Sequence, residues 1–153
     1  MSLFLMPQDE VIAHITAAFA DTPSPGAGFD DISATKWDEG IVEYFRGKTW
    51  RGHRVKDLRH HEAALSFFTD KAFRYWLPAF MLAELESPEE ADVIAEGIAF
   101  HLTQARDAEA RLSQFSSDEL SAIAAFLDVC AHRYPVGDCD EAAVAVRAHI
   151  PKA

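Results

Sequence analysis

Thr69-Asp70-Lys71-Ala72-Phe73-Arg74-Tyr75-Trp76-Leu77-Pro78-Ala79-Phe80-Met81-Leu82-Ala83-Glu84-Leu85-Glu86 is the stretch that decides the fold class. Phe73, Trp76, Leu77, Phe80, Met81 and Leu85 recur at the three- to four-residue spacing of a helix, and no period-two alternation competes with it. Thr69 supplies the side-chain oxygen that an N-cap needs. Pro78 lacks a backbone donor and its ring clashes with the carbonyl of Arg74, so a kink or break is expected near Leu77. Neighbouring rings such as Phe67 and Phe68, or Tyr75 and Trp76, diverge by about 100°. Several helices must therefore surround this segment, or some rings must form an interface; core packing is the simpler reading. Arg74 and Glu84 are expected to keep their heads at the surface or to pair.

The same period recurs on both sides. A first helix is expected over 7–20, with Pro7 in its first turn and a stripe of Val11, Ile12, Ile15, Ala18 and Phe19. The run Asp21 to Gly28 is a loop. A second helix is expected over 35–46, with Trp37, Ile41, Tyr44 and Phe45 on one side and Gly47 as its stop. Residues 48–60 read as a loop with a short turn around Trp50 and Leu58, followed by a helix over 61–67. Two serine capping boxes come next: Ser87-Pro88-Glu89-Glu90 opens a helix to 104, and Ser116-Ser117-Asp118-Glu119 opens one to 134. A turn of helix over 108–115 and a last helix over 140–149 complete the reading. The expectation is an all-α, single-domain compact bundle of about six helices spanning 1–153.

At 153 residues, with 49% hydrophobic and 11% aromatic residues, the chain is long enough to bury a core without disulfides. No run approaches the roughly 20 apolar residues of a membrane span, and Leu3-Phe4-Leu5-Met6 is too short for a signal peptide, so a cytoplasmic location is expected. Cys130 falls on an apolar helical side and Cys139 in a turn, both read as reduced thiols. The net charge is −11, unevenly spread: residues 1–76 hold nine basic against eleven acidic residues, and 77–153 hold five against fourteen. That field disfavours nucleic acid and suits a basic protein partner, although acidity also serves solubility.

Three runs carry a resemblance. They are Tyr44-Phe45-Arg46-Gly47-Lys48-Thr49-Trp50, the stretch Leu58-Arg59-His60-His61-Glu62 through Phe68, and Phe73-Arg74-Tyr75-Trp76-Leu77-Pro78 through Ala83. Together with Leu120 to Leu127, they resemble an uncharacterised family of small bacterial all-helical proteins. The resemblance implies an all-α bacterial protein and lends no activity and no catalytic residue. Related small acidic proteins look like immunity or partner proteins, by analogy alone.

No motif assigns chemistry. His60-His61-Glu62, with His53 seven residues earlier, is the densest set of metal-ligand types. Adjacent histidines on a helix point about 100° apart, however, and no His-Glu-X-X-His or zinc-spaced cysteine pair is present. One packed and one exposed imidazole is the favoured reading there. His14, His101, His132 and His149 read as surface or core trim. Ser66 and Thr69 lack a nucleophile elbow, and Gly26-Ala27-Gly28 follows no strand. Asp30-Asp31 and Glu89-Glu90 read as loop charge and helix-start charge. No catalytic residue, cofactor or metal site is assigned. Arg46, Lys48, Arg51, Arg54, Lys56 and Arg59 form a local basic segment opposed only by Asp57. Internal pairing with the acidic half is favoured over an anionic ligand, and nucleic acid comes last.

The functional expectation is a non-catalytic protein-binding protein, such as a bacterial immunity-type inhibitor of a basic toxin or effector. Its contact would use Glu89, Glu90, Asp92, Glu96, Asp107 and Glu109. Two alternatives stand beside it: a metal-dependent enzyme using His60, His61 and carboxylates, or a homo-oligomeric structural protein using its aromatic surplus.

Overall fold

The computed structural model describes residues 5–36 and 40–151. Its helices are α1 (Gln8–Ala18), α2 (Phe29–Ile32), α3 (Ile41–Phe45), α4 (Val55–His60), α5 (Ala64–Phe67), α6 (Asp70–Glu86), α7 (Pro88–Ala91), α8 (Ile94–Thr103), α9 (Ala108–Gln114), α10 (Ser117–Arg133) and α11 (Cys139–Ala148). The fold is all-α, with one isolated bridge between Ser33 and Phe68 and no strand among the described residues. Among the described residues the helices number eleven rather than about six, because one expected helix is divided and α2 and α4 form where no helix was expected. No helix among the described residues is long and apolar enough to cross a membrane. The chain forms two units, residues 21–94 and residues 1–20 with 95–153.

The 21–94 unit is organised by α6, twelve of whose seventeen residues are buried, so it is packed on nearly every side. The Thr69 hydroxyl accepts from the Ala72 N–H at 3.1 Å and donates to the Asp31 carbonyl at 2.8 Å. One side chain thus caps α6 and holds α2 against it. The helix runs through Pro78 without a break, so of the kink or break expected there the break does not occur. An interior proline costs about 3 kcal/mol, but burying Leu77, Phe80 and Met81 contributes about 2 kcal/mol each. Packing wins. The rings gather around this helix: Phe45 lies 4.6 Å from Trp76 and 5.1 Å from Phe68, edge to face. Phe68, Phe73, Tyr75, Trp76 and Phe80 are buried, which makes this run core, while Phe67 is half-buried. Glu84 is fully buried, so of the two outcomes expected for it, surface or pairing, the surface is excluded; Arg74 is half-buried.

The second expected helix shrinks to Ile41–Phe45. Gly40 sits at φ +80°, a conformation that cannot continue a right-handed helix backwards. Trp37 lies outside the described residues. Within 48–60 the turn around Leu58 is a true helix, α4, with Trp50 and Leu58 both buried. The helix expected over 61–67 keeps only Ala64–Phe67. Asp31 is more than loop charge, because its carboxylate accepts the Gly28 N–H at 2.9 Å and closes the start of α2. The Ser87 capping box does not form. Ser87 makes no side-chain cap bond, and α7 ends at Asp92, where φ is +54°. The expected helix to 104 is therefore split into α7 and α8. Asp92 instead receives Arg59, with Nη2 at 3.0 Å and Nε at 3.3 Å.

In the other unit α10 is the central element. The Ser116 hydroxyl accepts from the Glu119 N–H at 3.1 Å while Glu119 Oε1 accepts from the Ser116 N–H at 2.8 Å, the reciprocal box that the sequence announces. Ala122, Ala124 and Ala125 are buried along it, and these small side chains let α1 and α11 pack close. Val11, Ile15 and Phe19 are buried, whereas Ile12 and Ala18 are half-buried. Phe19 meets Phe115 edge to face at 6.3 Å. Cys130 and Cys139 form no disulfide and are both buried; Cys139 opens α11 rather than sitting in a turn.

Candidate functional site

All six carboxylates expected at a partner contact are exposed. Glu89 and Glu90 stand in the first turn of α7, where the helix dipole favours negative charge, and Glu96 stands in the first turn of α8. Asp107 immediately precedes α9 and Glu109 lies in its first turn. Two of the six are engaged within the chain: Asp92 with Arg59, and Glu109 with His149 Nε2 at 2.9 Å. Pairs as open as these contribute on the order of 0–1 kcal/mol, so a partner's cations can displace them. The six do not fall in one unit. Glu89, Glu90 and Asp92 belong to 21–94, and Glu96, Asp107 and Glu109 to the other. The charge imbalance along the chain also levels out. The 21–94 unit holds fourteen acidic and nine basic residues, and the other holds eleven and five.

A groove of about 530 Å³ runs over the second unit beside Glu109, edged by Arg106, Glu141 and His149 and floored by Leu102 and Leu112. The His149 Nδ1 donates to the Ala145 carbonyl at 3.1 Å while Nε2 faces Glu109. With both ring nitrogens donating, this is the geometry of an imidazolium. The Ala145 bond first, then Glu109, raises the His149 pKa. A second groove of about 600 Å³ is lined by Leu5, Asp128, His132, Pro135, Asp140 and Arg147, with Asp128 and Arg147 paired across a forked hydrogen bond.

The histidines of the 21–94 unit converge on Tyr44. His61 stacks on the Tyr44 ring at 4.4 Å, and His60 meets His61 edge-on at 4.8 Å. His60 is exposed and His61 half-buried, the division that the sequence suggests. His53 Nε2 lies 2.6 Å from the Thr49 carbonyl and Nδ1 lies 2.8 Å from the Tyr44 hydroxyl. The carbonyl only accepts, so Nε2 donates to it, and in that tautomer Nδ1 accepts a hydrogen bond from the Tyr44 hydroxyl. This relay ends on a backbone carbonyl, which makes it a brace for the 46–54 loop. Burial first, then Asp57, raises the Tyr44 pKa. Burial first, then His60, lowers that of His61. No three His, Cys, Asp or Glu side chains gather as a metal-ligand group among the described residues.

One polar pair carries no sequence signal. Arg111 Nη1 donates to His101 Nδ1 at 3.1 Å, and both residues are buried. Burial, then the Arg111 charge, lowers the His101 pKa to about 4. The two lie ten residues apart on different helices, so no single helical face could announce them.

Fold and side chains define an all-α protein with exposed carboxylates on both of its units. The chain belongs to DUF6714, a family of unknown function, whose sequence model matches residues 7–149. The match takes in all the runs on which the sequence resemblance rests. No curated protein and no solved structure matches the chain.

Proposed function

We propose that this protein is a non-catalytic binding protein whose partner is a basic macromolecule. The observation that carries the reading is the exposure of Glu89, Glu90, Asp92, Glu96, Asp107 and Glu109 in a chain of net charge −11. Exposed carboxylates steer a positive partner into encounter and match its potential on contact. Glu109 adds shape to charge, since it stands beside a groove that a protruding basic side chain can enter. The finer form of the proposal is a cytoplasmic, bacterial immunity-type inhibitor that covers the positive cleft of a toxin or effector. A homo-oligomer built on surplus rings has less to recommend it, because Phe68, Phe73, Tyr75, Trp76 and Phe80 are buried within the chain.

Affinity capture from the native host, followed by kinetics with the captured partner, tests the reading. A single basic partner is expected. Reversing Glu89, Glu90, Glu96 and Asp107 to lysine should slow its association and flatten the dependence on salt. Association unchanged by the reversal would show that these carboxylates are not the contact.

A further inference from the structure

The basic segment is less self-satisfied than its sequence suggests. Arg54 pairs with Asp57 at 3.1 Å and Arg59 with Asp92 at 3.0 Å. Arg46, Lys48, Arg51 and Lys56 are exposed and have no carboxylate partner among the described residues. The pairing with the acidic half favoured at the outset therefore covers one of the six cations, Arg59, while Arg54 pairs within the segment. Three of the others, Arg46, Lys48 and Arg51, are held in place by neutral groups. Arg46 Nε donates to the Ala27 carbonyl at 3.1 Å. The Lys48 ammonium sits over the Tyr44 ring and the Arg51 guanidinium over the Trp50 ring, each 4.2 Å from the centroid. Tyr44 is itself braced by His53 and His61, and Trp50 is buried. The cations are thus displayed on a rigid floor, and less side-chain entropy is lost when a partner pairs with them.

We propose that residues 46–56, a loop that leads into α4, form a second interaction surface, of opposite sign to the first, that binds a short acidic segment of another protein. A guanidinium lying flat on a ring turns its N–H edge outward, which suits the planar fork of a carboxylate. Arg59 shows that a guanidinium of this segment can hold a carboxylate, its Nε and Nη2 converging on Asp92 Oδ2. Single-stranded nucleic acid is the weaker fit for two reasons. It binds by stacking bases on open rings, whereas Tyr44 is covered by Lys48 and His61, and Trp50 by Arg51. The net charge of −11 also opposes a polyanion in proportion to its charge, which disfavours a phosphate backbone more than a segment with a few carboxylates.

Fluorescence anisotropy of the full chain with a labelled peptide of alternating Glu and Ser, and with a labelled oligothymidylate, tests the surface. The peptide should bind at low salt. Its affinity should fall by roughly tenfold or more in the triple variant Lys48→Glu, Arg51→Glu, Lys56→Glu. Arg51→Lys, which keeps the charge and loses the fork, should weaken binding by a smaller factor and serves if the triple variant does not fold. Tighter binding of the oligothymidylate would overturn the partner class. Absence of peptide binding, or binding indifferent to all these substitutions, would overturn the surface itself.

Discussion

Helices α6 and α10 are both seventeen residues long, both capped by a side-chain hydroxyl, and each buries three alanines, yet they differ in how many rings they bury. Helix α6 buries Phe73, Tyr75, Trp76 and Phe80, and the helices packed on it are short: α2 and α7 have four residues and α4 has six. Helix α10 buries Ala122, Ala124 and Ala125 beside Ile123, Phe126 and Leu127, and its partners α1 and α11 have eleven and ten residues. A helix of one turn has no stability of its own. A single ring can fix one in place because it removes so much apolar area from water. With Phe126 as its one buried ring, α10 relies on side chains that each remove less, so contact must be repeated along a long partner. Side-chain size and helix length offset each other in the two units.

That contrast is most exposed at Trp76. Trp76→Ala should destabilise the protein by about 3–5 kcal/mol and release amide protection across α3 and the 46–54 loop, since the ring holds Phe45 and His53. Urea unfolding with hydrogen exchange measures both effects. A loss confined to α6 itself would break the argument that rings anchor the short helices.

Next in size is the acid response of the other unit. The His101 pKa lies near 4 when folded and near 6.5 when unfolded. As pH falls through that window the unfolded chain takes up a proton that the folded one refuses, so stability present above pH 6.5 is lost, on the order of 3 kcal/mol by pH 4. Unfolding midpoints from pH 7 to 4 should show the fall, and His101→Asn should reduce it. His149 has the opposite sign: its pKa is raised, so its contribution is present at low pH and is lost as pH rises past the folded value. A stability profile flat between pH 7 and 4 would remove His101 from the account.

The smallest effect separates two motifs that look alike. Ser116→Ala should cost about 1 kcal/mol, because the Ser116 hydroxyl caps the Glu119 N–H. Ser87→Ala should cost almost nothing, since that hydroxyl makes no cap. Equal losses in thermal unfolding would mean that the Ser87 box forms after all.

What the sequence determined by itself was local. The span of α6, its Thr69 cap, the Ser116 box and the stop at Pro135-Val136-Gly137 all rest on interactions within about one helical turn, and those residue types carry them wherever the rest of the chain goes. The exposure of the six carboxylates was legible for the same reason, since charged side chains stay in water unless something pairs them. Tertiary structure alone decided the remainder. Arg59 reaches Asp92 from 33 positions away where the 87–104 helix divides. Glu84 enters the core, Arg111 meets His101 inside the second unit, and Phe45, Tyr44 and His53 assemble the braced floor under Lys48. The residues 1–20 join 95–153, which erases a charge imbalance that exists only along the chain. Each of these depends on which distant side chain fills the space opposite, and a one-dimensional period holds no record of that.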